Sequence, residues 1–179
     1  MLEPAIAEIE DHVHSAGWDR GPSLFALVRA VQFAQDDPET ARRLGIDKVS
    51  GDGLTPVEQE DLPDEPRDEV LAGIACPAEV DGCAVSQEIV ILPPSAEAGL
   101  TGDDLTADQM AAHAAGHPER REARLVVGVL RDGSSAVLLR MRSGDGASDD
   151  GAPNDGADDL LTGPDLAPNL VAALRATLS

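Results

Sequence analysis

The sequence predicts an α+β fold: an antiparallel β-sheet with a central Asp-Gly hairpin, flanked by N-terminal and C-terminal helices. Three observations predict it. Residues 3–16 place Ala5, Ile6, Ile9 and Val13 at helical spacing, with Gly17 at the stop. Residues 166–178 do the same with Leu166, Leu170, Val171, Leu174 and Leu178. Between them, two strand-like runs, 121–131 and 134–142, are joined by Asp132-Gly133. Asp-Gly between such runs is the strongest short-range hairpin signal, because a type I′ turn needs positive φ at both central positions. That turn would set Arg131 opposite Ser134, Val129 opposite Ala136 and Val127 opposite Leu138. Both faces of the hairpin carry apolar residues, so cover is expected on both.

The remaining elements follow in chain order. Trp18-Asp19-Arg20-Gly21-Pro22 reads as a turn. Residues 23–29 read as a strand running into a short helix. Asp37 caps another short helix, with Pro38 at its first position and Gly45 at its end. Residues 46–63 read as a long connection, in which Thr55-Pro56-Val57-Glu58 has the form of a capping box and predicts one helical turn. A helix is predicted over 64–75, carrying Val70, Leu71 and Ile74, and a strand from Val80 to Leu92, ended by Pro93-Pro94. Thr106 to Gln109 forms a second capping box, opening an Ala-rich helix that Gly116 closes. Residues 143–165 hold seven Asp and no base, and read as a mobile insert in what is otherwise a single domain over 1–179.

Charge is distributed unevenly. The net charge is −21, from 34 acids and 13 bases, yet six of the twelve arginines fall between Arg120 and Arg142, beside only Glu122 and Asp132. That stretch is positive in a strongly negative chain, and such a polarised field steers partners. Arg120, Arg121, Arg124, Arg140 and Arg142 gather at one end of the predicted hairpin, with Arg124 opposite Met141. Arginine forks suit carboxylates and phosphates, so these five are the candidate binding residues. The competing expectation is that they pair with the acids of their own chain. Another protein or a small anionic ligand is the expected partner.

Composition excludes several classes. The only aromatics are Trp18, Phe25 and Phe33, which leaves no stacking platform for single strands, and the acidic balance opposes phosphate backbones. Nucleic acid is therefore not an expected partner. No apolar run reaches the length of a membrane span, and Glu3, Glu8 and Glu10 interrupt the start where a signal region would lie. A cytoplasmic protein with two reduced, buried cysteines, Cys76 and Cys83, is expected; their C-x6-C spacing fits neither a thioredoxin-like pair nor a zinc knuckle.

Catalytic signals are weak, and no cofactor or metal is expected. No Gly-x-Ser-x-Gly elbow, P-loop or dinucleotide fingerprint occurs. His113 and His117 lie four apart, but Ala114 stands where a zinc-protease helix needs Glu, and Gly116 interrupts the helix. The Asp-rich segment fails the EF-hand pattern: counted from Asp150, the sixth position is Asp155 and the twelfth Leu161. A non-enzymatic binding or chaperone-like module is the leading reading, and a small metal-dependent hydrolase using His113, His117 and nearby acids is the alternative.

One resemblance bears on this. Trp18-Asp19-Arg20, Leu24-Phe25-Ala26-Leu27-Val28, Leu54-Thr55-Pro56-Val57-Glu58-Gln59-Glu60, Gly82-Cys83-Ala84, Leu92-Pro93-Pro94, His117-Pro118 and Val129-Leu130-Arg131-Asp132-Gly133 together resemble an uncharacterised family of small acidic actinobacterial proteins. The family implies no catalytic or binding residue. The layout is also similar, more weakly, to type III secretion chaperone-like proteins, which implies protein binding and homodimer formation; fold alone does not fix function.

The Asp-rich segment yields a first prediction. Residues 144–159 carry no large apolar side chain and cannot offset their own ordering entropy. Deleting them is expected to leave the thermal midpoint within a few degrees of the full chain, where about 1 kcal/mol is read as a few degrees. A collapse of the midpoint in calorimetry would show that the segment is part of the fold.

Overall fold

The computed structural model describes residues 2–46, 53–59, 76–77, 80–93, 116–142, 160–163 and 166–178. Helix α1, Leu2–Ser15, buries Leu2, Ala5, Ile6, Ile9 and Val13 along one stripe, and Gly17, at φ 94°, ends it. Strand β1, Ser23–Arg29, is buried on both of its faces and runs into α2, Ala30–Asp36. Helix α3, Pro38–Leu44, begins as its sequence dictates: the Asp37 carboxylate accepts the Thr40 N–H at 3.0 Å, and Gly45 closes the helix at φ 74°. Strands β2 (Leu54–Gln59), β3 (Gly82–Ile91), β4 (Arg121–Leu130), β5 (Ser135–Met141) and β6 (Leu160–Thr162) follow, and α4, Pro168–Thr177, comes last.

Among the described residues, the six strands make one antiparallel sheet in the order β2-β1-β3-β4-β5-β6. The α+β class and the two flanking helices match the sequence-based expectation. α1 covers one face, where Ile6 and Ile9 pack with Phe25, Leu27, Ala84 and Val126. α4 covers the other, where Val171, Leu174 and Leu178 pack with Leu125, Val127, Val129, Val137 and Leu139. Burial of each such side chain contributes about 1.5–3 kcal/mol, so these two stripes supply most of the cohesion.

Three expectations are corrected. Residues Thr55 to Glu58 do not form a helical turn; they lie within β2, paired along its length with β1. The capping-box spacing is local, and the unpaired outer edge of β1 outweighs it. Pro56 is tolerated because β2 is an edge strand. The hairpin differs too. Asp132 does not have positive φ, whereas Gly133 does, at 89°. The Gly133 N–H donates to Leu130 O at 3.0 Å and the Leu130 N–H to Ser134 O at 2.9 Å. The loop is therefore three residues, Arg131 to Gly133, of the form that ends in one left-handed glycine. This moves the register by one: Val129 faces Ser135, Val127 faces Val137 and Arg124 faces Arg140, not Met141. A one-residue shift turns every side chain of β5 to the opposite face, so Val137 and Leu139 join Val127 and Leu125 under α4. Thirdly, the Asp-rich insert does not extend to 165 unbroken. Leu160-Leu161-Thr162 is apolar enough to pair with β5, Arg140 to Leu138. The predicted helices at 64–75 and from Thr106, and the acidic stretch before Leu160, lie outside the described residues.

At Gly128 α1 lies close against the sheet: a Cβ there would stand 2.3 Å from Ile6 Cδ1. At Gly133 space is open, but the backbone is left-handed. Gly133→Val is expected to destabilise by roughly 1–2 kcal/mol through that φ alone, and Gly133→Asn by much less, because Asn tolerates the left-handed region. Equal losses in chemical denaturation would mean that the hairpin depends on something other than this turn.

Candidate functional site

The register places Arg124 and Arg140 side by side on the α1 face of the sheet. Like charges directly opposite one another on a sheet repel. The conflict is resolved from α1, whose buried stripe contains one acid. Glu10, 1% exposed, accepts from Arg140 in a two-pronged contact, Nε to Oε1 and Nη2 to Oε2, both at 2.5 Å. Its Oε1 also lies 4.0 Å from Arg124 Nη1. Arg124 is equally buried, at 1%, and its Nη2 donates to Gly17 O at 2.5 Å and to Glu88 Oε1 at 3.4 Å. Its Nε and Nη1 have no hydrogen-bond partner among the described residues.

The turn after α1 closes the cluster. The Trp18 ring lies 4.3 Å from the Arg124 guanidinium and 5.3 Å from that of Arg142, an arrangement in which the ring face stabilises both cations. Glu88 receives the backbone N–H groups of Asp19 and Arg20 at 3.1 and 3.4 Å, which holds Asp19 in its left-handed conformation at φ 64°. Arg142 forks onto Asp19 at 2.8 and 2.9 Å and also reaches Glu122 at 2.7 Å. These bonds keep the Asp19 carboxyl below the ordinary carboxylate range and push the Arg142 guanidinium up. The Asp19–Arg142 pair is therefore fully present above the ordinary carboxylate range, and is lost as pH falls through the lowered value. Arg120 lies 3.7 Å from Glu122, and Arg121, the first residue of β4, is exposed.

The five predicted arginines thus stand at one end of the hairpin. The structure distributes them differently in depth: Arg124 and Arg140 inward against Glu10 and Glu88, Arg142 half-buried against Asp19 and Glu122, and Arg120 and Arg121 at the rim. Four carboxylates face the group, so most of its charge is balanced within the fold. Sequence reasoning missed Glu10, although its signal was visible: it stands four residues after Ile6 and three before Val13, on the apolar stripe of α1.

A second feature lies on the α4 side. An apolar cavity of about 280 Å³ opens over β1 and β2, walled by Leu24, Ala26, Val28, Phe33 and Val57. Cys76 and Cys83 also line it. Cys83 is buried, as expected, but Cys76 is only half-buried. Both sulfurs reach the Thr177 hydroxyl, at 3.7 and 3.4 Å, while that hydroxyl donates to Leu174 O at 2.7 Å. The Cys83 S–H also donates to Leu174 O at 3.8 Å. Burial pushes the Cys83 thiol up to about 12. Arg131 fastens the same corner: its guanidinium donates to the carbonyls of Val80, Cys76 and Pro77 at 2.8, 3.0 and 2.8 Å, and to that of Leu178 at the end of α4.

The histidine expectation is reached only in part. His113 lies outside the described residues, and His117 Nδ1 accepts the Glu119 N–H at 3.2 Å. Among the described residues, no group of three or more His, Cys, Asp or Glu is placed to hold a metal ion, and no helix is long and apolar enough to cross a membrane.

Removing Glu10 would leave two facing arginines without their shared counter-ion. Breaking a buried pair from one side costs about 3–5 kcal/mol. Glu10→Ala is therefore expected to lower the thermal midpoint by about 6–20 °C for a chain of this length, and the further change Arg140→Met in the Glu10→Ala background to recover part of that loss. A midpoint within a degree or two of the parent would show that the cluster is not a stabilising centre.

No curated protein and no solved structure matches the chain. The family model described as PPA1309-like protein matches residues 2–179, and the chain belongs to that family.

Proposed function

We propose that the protein is a non-enzymatic, chaperone-like binding module of the cytoplasm that seats an apolar anchor from a basic segment of a protein partner in the cavity over β1 and β2. The cavity carries this reading. At about 280 Å³ it falls just below the roughly 300–1,000 Å³ typical of small-molecule sites. It suits one or two large apolar side chains, the kind of anchor that dominates protein interfaces. Most of its walls are sheet and helix side chains, Leu24, Ala26 and Val28 from β1, Val57 from β2 and Phe33 from α2, so most of the shape is set before a partner arrives. Strand addition along β2 is the less favoured mode, because Pro56 contributes no N–H to that edge.

Charge supports the choice of a basic segment. The chain carries −21, and the arginine cluster is largely neutralised by Glu10, Glu88, Glu122 and Asp19. The net field therefore attracts cationic partners, raising association rates and disfavouring anionic competitors. An actinobacterial origin belongs here with the family reading, and a homodimer with the weaker likeness to type III secretion chaperone-like proteins.

A displayed library of random peptides tests it. Peptides enriched on the parent protein are expected to carry a Leu, Ile, Phe or Trp next to Lys or Arg. Ala26→Leu fills the cavity from its floor, and is expected to weaken those peptides by about tenfold or more while keeping the midpoint within a few degrees. Enrichment no better than on an unrelated acidic protein, or equal binding by Ala26→Leu, would overturn the proposal.

A further inference from the structure

We infer that Cys76 and Cys83 form a reversible dithiol–disulfide site oxidised by a low-molecular-weight disulfide, in which Cys76 reacts first and Cys83 resolves the mixed disulfide. The inference goes beyond the binding reading and does not depend on it.

Three observations carry it. The two sulfurs share one hydroxyl, that of Thr177, so they occupy the same corner of the core. They differ in access: Cys83 is 1% exposed, whereas Cys76 is half-buried at the wall of an open cavity. Finally, the strap that carries Cys76 is fixed against the rest of the molecule. The Cys76 N–H donates to Thr177 O at 2.9 Å, Val80 N–H to Pro77 O at 3.0 Å, and Arg131 draws in the carbonyls of Cys76, Pro77 and Val80. Thiol pairs that are merely close in an unfolded chain have no such scaffold.

The roles follow from chemistry. A thiolate is the nucleophile in disulfide exchange, and nearby cations favour it. Cys76, at the wall of the open cavity, is the thiol that a small disulfide can reach. Cys83 is disfavoured as the first nucleophile, since burial holds its proton. In the first step the Cys76 thiolate attacks one sulfur of oxidised glutathione, a Cys76–glutathione bond forms, and one glutathione leaves as thiolate. In the second, Cys83 gives up its proton and attacks the Cys76 sulfur, and the second glutathione leaves as thiolate and takes up a proton. The protein loses two electrons and two protons, and the oxidant becomes two reduced glutathiones. Closure removes both S–H groups from the Thr177 corner and alters the wall of the cavity.

The test uses the full reduced chain with excess oxidised glutathione under native conditions, followed by iodoacetamide and intact mass. The expected product is lighter by two hydrogens, keeps no glutathione, and is reversed by dithiothreitol. Cleavage at acidic residues, which include Glu79 and Asp81 between the cysteines, is expected to give a Cys76–Cys83 cross-linked pair on a non-reducing map. Cys83→Ala is expected to stop at one glutathione on Cys76, and Cys76→Ala to remain unmodified while folded. The inference is overturned if the parent keeps glutathione on Cys76 without cross-linking, if the cross-link forms only in denaturant, or if Cys83 in Cys76→Ala reacts as fast as Cys76 in the parent. Should Cys83→Ala not fold, the parent cross-link and the Cys76→Ala rate decide alone.

Discussion

Glu10 sits between Arg124 and Arg140, out of reach of water, and much of the architecture is arranged around that one carboxylate. A hydrophobic α1 stripe could pack on the sheet in several sliding positions, since apolar contact is non-directional. A fork of two charge-assisted hydrogen bonds cannot slide. It fixes α1 along β4 and β5 and, through Arg124, sets where the chain turns at Gly17. The same contact neutralises a pair of like charges that the β4–β5 register would otherwise set against each other. Whether such a buried cluster adds net stability over apolar side chains of equal size is a separate matter; buried ion pairs are strong mainly in what their disruption costs.

A second polar centre does for α4 what Glu10 does for α1. Arg131, in the hairpin loop, collects the carbonyls of Cys76, Pro77, Val80 and Leu178. The last carbonyls of a helix lack partners within it, and a cation there satisfies them and suits the helix dipole. The hairpin thus holds α1 at one end through Arg124 and Arg140, and α4 at the other through Arg131. This arrangement explains why a positive stretch survives in so acidic a chain: most of its arginines are tied to oxygens of the fold. The apolar cavity and the thiol pair lie beside the Arg131 corner, where the strap meets the sheet.

The locally encoded features are legible in the chain's own residue pattern. The stripe of α1, the Asp37 cap with Pro38 behind it, the glycine stops at Gly17 and Gly45, and the existence of a hairpin at Asp132-Gly133 each depend on residues within one or two turns of one another. So does the α+β class, which follows from apolar periodicity at the two ends and strand-like runs between them. Tertiary structure decided the rest, because the deciding partners lie far apart in the chain. Thr55-Pro56-Val57-Glu58 carries a valid helix-start pattern, but β1 offers a row of backbone groups to pair, and that outweighs one helical turn. The hairpin register turned on a single residue of loop length, which the Asp-Gly pair does not specify, and that residue exchanged the faces of β5. The arginines were legible as a group but not in their roles, since Glu10 and Glu88 reach them across 130 and 36 positions of sequence. Cys76 and Cys83, seven positions apart, were legible as two thiols; only the arrival of Thr177 from the last helix, about a hundred positions on, made them a pair.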